Sequence, residues 1–204
     1  NNLSLNNNQK EQIQNYLSQI DQNYKSVLYA VRSSSPEEDL SGASFAGGYE
    51  TYLGVLFSDL EKNILKTFTS CFDYRVYKYK LEKKFKDPEN MKIAIIIMKQ
   101  IKSDCSGVGF SINPINNDMD ECVINSNFGL GETVVQGIIT PDQYVINKID
   151  FKIKNKKIGK KEKIIIIDNE NKGQLKNINN ENNSPSLIDD QLITITKNIK
   201  ILEK

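Results

Sequence analysis

An apolar segment that runs directly into an arginine, hydroxyl residues and glycines is the feature that most limits how this chain can fold. Residues 27–31 have the pattern of a short buried strand, and Arg32 follows them. Arg32 provides a fixed positive charge and a planar set of donors suited to phosphate. Further along, the small residues Ser44, Ala46, Gly47 and Gly48 leave backbone N–H groups uncovered, so a loop there can lie close against anionic oxygens. The segment is typical of phosphate binding.

An ordinary turn explains the same residues. The chain has no P-loop Gly-Lys-Ser/Thr here, so Gly47 and Gly48 can simply reverse the chain and Arg32 can belong to a surface ion pair. The local pattern alone therefore leaves both interpretations open.

Two further blocks follow in a fixed order. Residues 91–114 are an apolar run that breaks at residues 103–107 and resumes as a short alternating strand, and residues 125–144 place Gly-Leu-Gly-Glu ahead of a second apolar stretch. Together with residues 30–55, these blocks resemble the ATP-binding N-terminal domain of the phosphoenolpyruvate synthases (pyruvate, water dikinases). The pyruvate phosphate dikinases and rifampicin phosphotransferases are closely related. The resemblance extends from residue 27 to residue 149 and continues more weakly to the C-terminus.

The hydrophobic spacing predicts mixed helices and strands. Helices are expected at residues 9–24, 52–57, 59–85 and 189–202, and strands at residues 27–31, 93–97, 107–113, 121–125, 144–148 and 163–168. The resemblance implies an α+β fold of ATP-grasp type, with N-terminal helices followed by a mostly antiparallel sheet with flanking helices. In that fold the nucleotide is held between two subdomains.

Three segments are expected along the chain. Residues 1–24 form a polar N-terminal segment with a helix, residues 25–150 a partial ATP-grasp nucleotide-binding core, and residues 151–204 a Lys/Asn-rich extension with a strand and a terminal helix. Within the extension, the Lys/Asn/Glu-rich tract at residues 154–183 is expected to be loop or poorly ordered, apart from the apolar residues 164–167.

Charge and cysteine content argue against several classes of function. The net charge is +1, and the lysines of residues 78–86 alternate with acidic residues, which favours a solvated helix face over a nucleic-acid surface. No stretch is apolar for long enough to span a membrane, and no signal peptide opens the chain. Cys71, Cys105 and Cys122 lack metal-type spacing, and without a histidine base Cys105 is better explained as a buried thiol than as a nucleophile. We expect a cytoplasmic protein with no nucleic-acid or membrane partner.

The resemblance implies that two arginines serve the phosphates. Arg32 matches the arginine of the family's Val-Arg-Ser-Ser motif and is expected to contact ATP. Arg75 aligns with a second arginine, in the helix after the glycine loop, where it could reach the transferred phosphoryl group. The alternative for Arg75 is an ordinary arginine on a helix surface. Lys80 falls where relatives often carry another arginine, and a lysine there keeps the charge but loses the bidentate fork.

Loop and strand residues are implied to complete the ATP site. The loop residues expected to surround the β- and γ-phosphates are Ser44, Phe45, Ala46, Gly47, Gly48 and Thr51. The strand residues expected to bind the adenine edge through their backbone are Ile97, Met98, Lys99 and Gln100. Relatives usually read Gln-Lys-Met where this chain has Met-Lys-Gln at residues 98–100, so the side chains expected to pack over the base differ from those of the relatives. Glu132 could bind ribose or a metal-bound water, or could simply favour the start of a helix electrostatically.

Parts of the family's machinery are expected to lie outside these residues. The Mg²⁺ ligands are expected beyond the C-terminus, no metal ligand is expected within the chain, and the chain has no histidine to carry a phosphoryl group. The resemblance therefore implies an internal ATP-binding fragment of a phosphoenolpyruvate-synthase-like phosphotransferase, inactive in isolation.

The full enzyme would convert ATP, pyruvate and water into phosphoenolpyruvate, AMP and phosphate, with phosphohistidine and barrel domains of the parent chain as partners. A rifampicin-phosphotransferase-like antibiotic kinase is one alternative. A non-catalytic structural or interaction module that keeps the fold is the other.

Overall fold

The chain folds into two compact units, residues 1–101 and residues 102–204. The computed structural model describes residues 3–36, 50–84, 87, 89, 91–167, 174–177 and 184–203. The expected glycine loop at residues 44–48 lies outside the described residues. The predicted division at residues 24 and 150 does not coincide with these two units, and it stays a prediction about domain organisation.

The first unit is a three-stranded antiparallel sheet with helices. Its elements are α1 (Asn7–Ile20), β1 (Tyr29–Ser34), β2 (Thr51–Val55), α2 (Leu60–Thr69), α3 (Tyr74–Glu82) and β3 (Ala94–Lys99), with short 3-10 turns at Phe57–Asp59 and Ser70–Phe72. The strands lie in the order β2-β1-β3, so β1 is central. A capping box starts α1, in which Gln9 N donates to Asn6 Oδ1 at 2.8 Å and Asn6 N donates to Gln9 Oε1 at 2.9 Å. The core joins Leu17 of α1 and Leu60 of α2 to the sheet.

The prediction of a helix at residues 52–57 is wrong. Residues 51–55 are strand β2, which pairs antiparallel with β1, and Tyr52 and Val55 pack into the same core as β1. Gly54 takes a positive φ of 63° where the register shifts by one residue. A short apolar run reads as helix or strand with equal ease, and here pairing with β1 decides the outcome.

The second unit carries a four-stranded antiparallel sheet of order β4-β5-β6-β7 and a two-stranded sheet, β8-β9. Its elements are β4 (Cys105–Phe110), β5 (Glu121–Phe128), α4 (Glu132–Val135), β6 (Asp142–Asn147), β7 (Ile153–Lys157), β8 (Lys163–Ile166), β9 (Gln174–Asn177) and α5 (Asp189–Leu202). Leu192 of α5 packs on Ile124 and Tyr144. The predicted terminal helix is confirmed at both ends, and the α+β class with antiparallel sheets is confirmed.

The expectation of loop or poor order in residues 154–183, outside the apolar residues 164–167, is wrong at two strands. Strand β7 covers Ile153–Lys157, and a further strand, β9, covers Gln174–Asn177 within the same Lys/Asn-rich tract. Residues 154–157 are exposed, so β7 shows no alternation of apolar and polar residues. Lysines on an edge strand are a common way to block pairing with other chains, and they conceal such a strand from pattern analysis.

None of the described helices is long and apolar enough to cross a membrane.

A buried ion pair holds the second unit together. Lys161 Nζ donates to Asp142 Oδ1 at 2.6 Å, and both side chains are fully buried. Gly159 N also donates to Oδ1 at 2.8 Å, while Ser186 N and Tyr144 Oη donate to Oδ2 at 2.7 and 3.1 Å. Burial acts to raise the pKa of Asp142, but the hydrogen bonds from Lys161, Ser186 and Gly159 outweigh it and lower the pKa below its ordinary value. The carboxylate therefore stays ionised inside the fold.

Lys161→Met should destabilise the second unit by about 3–5 kcal/mol, because it leaves the Asp142 carboxylate buried without its counter-charge. Urea unfolding measures the effect. The control is Lys152→Met, which breaks the exposed pair between Lys152 and Asp150 and should cost less than about 1 kcal/mol. Equal losses in the two variants would contradict the role given to the buried pair.

A second polar cluster surrounds Glu121 at the start of β5. Glu121 Oε1 accepts from Lys154 Nζ at 2.8 Å, and Oε2 accepts from Asn113 Nδ2 at 2.6 Å and from Asn116 Nδ2 at 3.2 Å. These donors, with Lys154 foremost, lower the pKa of Glu121 from 4.5 to about 2. The cluster ties the β4–β5 connection to β7.

Acid should weaken this cluster in a defined range. Because the folded-state pKa of Glu121 is depressed, its contribution to stability is complete above pH 4.5 and is lost as the pH falls towards about 2. Glu121→Gln should therefore be less stable than the natural chain at neutral pH, and the difference should shrink over that acid range. Urea unfolding at a series of pH values tests this, and a pH-independent difference would contradict it.

Candidate nucleotide-binding site

Strand β1 presents Arg32 on the sheet face opposite the core, where its side chain is exposed. Tyr29 and Val31 of β1 pack into the core beside α1 and α2. Because side chains alternate along a strand, Arg32 lies on the other face. Residues directly opposite Arg32 share that face, and they are Thr51 of β2 and Ile96 of β3.

We call the set Arg32, Thr51, Ile96 and Met98 the open face. Ile96 and Met98 are 46% and 44% exposed, which is high for apolar side chains of a strand. A cation, a hydroxyl and an apolar surface are thus placed side by side. Such a combination suits a ligand with both a phosphate and a flat base.

The Arg32 guanidinium is exposed and makes no hydrogen bond or ion pair with the residues that the structure describes. A surface ion pair, the alternative left open by the sequence, does not form with any of them. All the donors of the planar fork are therefore available to an anionic ligand.

Arg75 lies in the first turn of α3, close to the start of β2. Asp73 caps this helix, and its carboxylate accepts from Arg75 N at 2.8 Å, from Nε at 3.3 Å and from a terminal guanidinium nitrogen at 3.2 Å. The side-chain hydrogen bond with Arg75 lowers the pKa of Asp73 and raises that of Arg75. Glu50 N donates to Ser70 Oγ at 3.4 Å, which joins the residue before Thr51 to the turn before α3. Arg75 is therefore brought to the same end of β2 as Thr51.

The predicted adenine strand divides between the two faces. Met98 is on the open face, whereas Ile97 packs towards the helices and Lys99 Nζ donates to Asp21 Oδ2 at 2.7 Å. Gln100 N donates to Leu28 O at 2.8 Å, and Gln100 Oε1 is buried without a hydrogen-bond partner. In its sheet, β3 pairs with β1 alone among the described strands. Its outer edge therefore has no backbone pairing with another described strand.

The prediction that residues 78–86 form a solvated lysine face is wrong for Lys80. Lys78, Lys83 and Lys84 are exposed, but Lys80 is fully buried and its Nζ contacts Met91 Sδ at 3.3 Å. Val76 and Lys80 are four residues apart and lie on the same buried stripe of α3. That spacing was the signal available in the sequence. In this structure the Lys80 ammonium is therefore covered by protein and lies against Met91.

Glu132 belongs to the second unit, as the first residue of α4. Its side chain is half-buried and makes no hydrogen bond or ion pair with the described residues. The preceding turn is fixed firmly: Gly129 takes a φ of 72°, and a Cβ there would meet Ile165 O. Asn127 is fully buried and donates to Thr133 Oγ1 and to Lys163 O, both at 2.9 Å. These contacts hold Gly-Leu-Gly-Glu in one conformation.

Two residues with a structural bearing on the site were not found from the sequence. Asn127 anchors the Gly129–Glu132 turn, and no periodic pattern marks it. Asp73 pairs with Arg75, and the available signal was an aspartate at the N-cap of a helix with an arginine two residues later.

Cys105 is half-buried, and burial raises the pKa of its thiol, which agrees with a non-nucleophilic role.

Arginine is scarce in this chain. Of 27 basic residues, only Arg32 and Arg75 are arginines. Lysine replaces it everywhere else, yet lysine cannot provide the planar fork that binds phosphate bidentately. Both arginines stand at positions predicted to contact phosphate.

The family model of the pyruvate phosphate dikinase AMP/ATP-binding domain matches residues 2–204. The chain belongs to this family. It is 39% identical over 159 residues to the phosphoenolpyruvate synthase of Pyrococcus furiosus, covering 76% of this chain and 19% of that protein. It is 42% identical over 141 residues to a probable phosphoenolpyruvate synthase of Pyrococcus horikoshii, covering 69% of this chain and 17% of the relative.

A third relative, the phosphoenolpyruvate synthase of Aquifex aeolicus, is 34% identical over 200 residues and covers 92% of this chain and 23% of its own length. The chain therefore spans about a fifth of the length of the curated relatives that it matches. The sequence-based recognition of the family is confirmed.

Arg32→Ala should weaken ATP binding by about 10- to 100-fold, because it removes a charge-assisted contact to phosphate worth about 1.5–3 kcal/mol. Isothermal titration with the 204-residue chain measures this. Lys78→Ala, an exposed residue of α3, is the control and should bind ATP normally. Thermal unfolding of each variant is checked, since Arg32 lies in a core strand. Wild-type affinity in a stable Arg32→Ala chain would remove Arg32 from the site.

Proposed function

We propose that this chain is the ATP-binding part of a phosphoenolpyruvate-synthase-like phosphotransferase. The full reaction would convert ATP, pyruvate and water into phosphoenolpyruvate, AMP and phosphate. Membership of the AMP/ATP-binding family over residues 2–204 supports ATP as the ligand. The observation that carries the proposal is the exposed Arg32 guanidinium, which has no partner among the described residues and stands on the open face opposite Thr51.

The chain's own residues would neutralise and orient the polyphosphate. Phosphoryl transfer requires little covalent chemistry from the protein, so alignment and charge stabilisation supply most of the rate. Arg32 would hold the phosphates, and Arg75 would reach the transferred group from the start of α3. Thr51 and the amides of residues 44–48 would add hydrogen bonds, the latter from outside the described residues.

The base and the sugar would be held by other groups. The backbone of residues 97–100 would bind the adenine edge, with Met98 and Ile96 providing apolar surface beside it. Glu132 would bind ribose or a metal-bound water. An ATP-grasp layout is proposed on the strength of the family and of the antiparallel sheet with helices in each unit.

Magnesium is proposed as the cofactor, with ligands beyond the C-terminus of this chain. Among the described residues, no three His, Cys, Asp or Glu side chains are grouped to hold a metal ion. We therefore assign no ligand and no step to Mg²⁺ within this chain. The chain has no histidine, so phosphoryl transfer through phosphohistidine would use a histidine outside these 204 residues.

Pyruvate, the phosphohistidine domain and the barrel domain are proposed as the acceptor and partners of the whole enzyme, which we place in the cytoplasm. The names of the relatives described above support phosphoenolpyruvate synthesis as the reaction of the whole enzyme. No observation favours an antibiotic kinase or a non-catalytic module.

The 204-residue chain should bind ATP but should not turn it over. Titration with ATP tests binding, and incubation with ATP, Mg²⁺ and pyruvate followed by assay of AMP and phosphoenolpyruvate tests catalysis. The chain has no histidine to carry a phosphoryl group, and the metal ligands are proposed to lie outside it; each of these lacks would cost orders of magnitude in rate. A folded chain that binds no adenine nucleotide would overturn the proposed function, and sustained turnover would overturn the expected inactivity.

A further inference from the structure

The two arginines differ in what they contact. Arg32 has no partner among the described residues, whereas Arg75 is already engaged by Asp73. Two guanidinium nitrogens of Arg75 donate to the two carboxylate oxygens, at 3.3 and 3.2 Å. The fork that a phosphate would use is therefore occupied by a carboxylate two residues away.

This pair is easily separated. The Arg75 side chain is 79% exposed and that of Asp73 is 38% exposed, so water can replace each partner. Exposed ion pairs contribute little to stability. A doubly or triply charged phosphate group can accordingly take the guanidinium from Asp73, but it has to compete with a carboxylate that is tethered beside it.

We propose that Asp73 is a positioning residue for Arg75: its carboxylate holds the guanidinium at the start of α3 and releases it to the terminal phosphates of bound ATP. This inference rests on the proposed ATP-binding function. Asp73 then lowers the affinity for ATP while keeping Arg75 in place. AMP lacks the β- and γ-phosphates, so its binding does not draw on Arg75.

Asp73 has a second contact that a test must separate from the first. Its Oδ1 accepts from Arg75 N at 2.8 Å, which caps α3. Asp73→Asn keeps an oxygen for the cap and removes the charge, whereas Asp73→Ala removes both. The asparagine variant should keep the thermal midpoint of the natural chain, and the alanine variant should lower it.

The chain contains a matched control. Asp150 accepts from Lys152 N at 3.1 Å, and its other oxygen pairs with Lys152 Nζ at 3.1 Å. Like Asp73, Asp150 is an aspartate two residues before its cationic partner, and it lies on an exposed turn of the second unit. Asp150→Asn should leave nucleotide affinity unchanged.

Isothermal titration of the 204-residue chain with ATP and with AMP tests the inference. Asp73→Asn should bind ATP about two- to five-fold more tightly, as expected for loss of an exposed competing charge, with AMP affinity unchanged. The gain should disappear in the Arg75→Ala background, where there is no guanidinium to release. Equal ATP affinity of Asp73→Asn and the natural chain, or an equal gain for AMP, would overturn the inference.

Nuclear magnetic resonance gives a direct readout of the same exchange. Because the chain has only two arginines, its spectrum contains two guanidinium Nε–H signals. ATP should shift the Arg75 signal in the natural chain, and Asp73→Asn should shift it without nucleotide while leaving the Arg32 signal in place. If the chain binds ATP but the Arg75 signal does not shift, the inference about Asp73 is overturned and the proposed ATP-binding function stands. A folded natural chain that binds neither ATP nor AMP would overturn the proposed function as well.

Discussion

Central strand β1 packs one face into the core and carries the exposed Arg32 on the other, and the candidate site depends on that division. Tyr29 and Val31 are anchored by Leu17, Leu60 and their neighbours, so the strand cannot rotate or shift its register by one residue without exposing the core. Arg32 is consequently held on the opposite face by residues of the core. Packing on one side of the sheet thus determines which cation is available on the other.

Hydrophobic spacing was sufficient to predict the elements with strong periodicity. Helix α5 was predicted with the correct ends, Asp189 and Leu202, because its apolar residues recur at intervals of three and four. Strand β2 was missed because its short apolar run shows neither a helical nor a strand periodicity, and the segment after it has a helical pattern. Strand β7 was missed because it lies at an edge and presents lysines to solvent.

Of the candidate site, Arg32, Thr51 and Met98 were predicted and share the open face, while their contact with ATP stays a prediction. What the sequence could not show was which cations are accessible. Lys80 and Lys78 look alike in the sequence, but one is fully buried and the other is exposed. Charge counts along a helix do not reveal this, because burial depends on the whole turn of α3 and on Met91, which approaches from a later part of the chain.

The carboxylate of Asp142 also bears on how the second unit assembles. Its donors come from Lys161, 19 residues away, and from Ser186, 44 residues away. If β5 and β6 paired alone, the Asp142 carboxylate would lack the donors from Lys161 and Ser186. The hairpin therefore gains little stability until both of these distant segments have folded against it. Contacts of long sequence separation slow folding, since loops must close before the contacts form. The second unit is therefore expected to acquire its stability late and in one cooperative step, with the segment before α5 as the final closure.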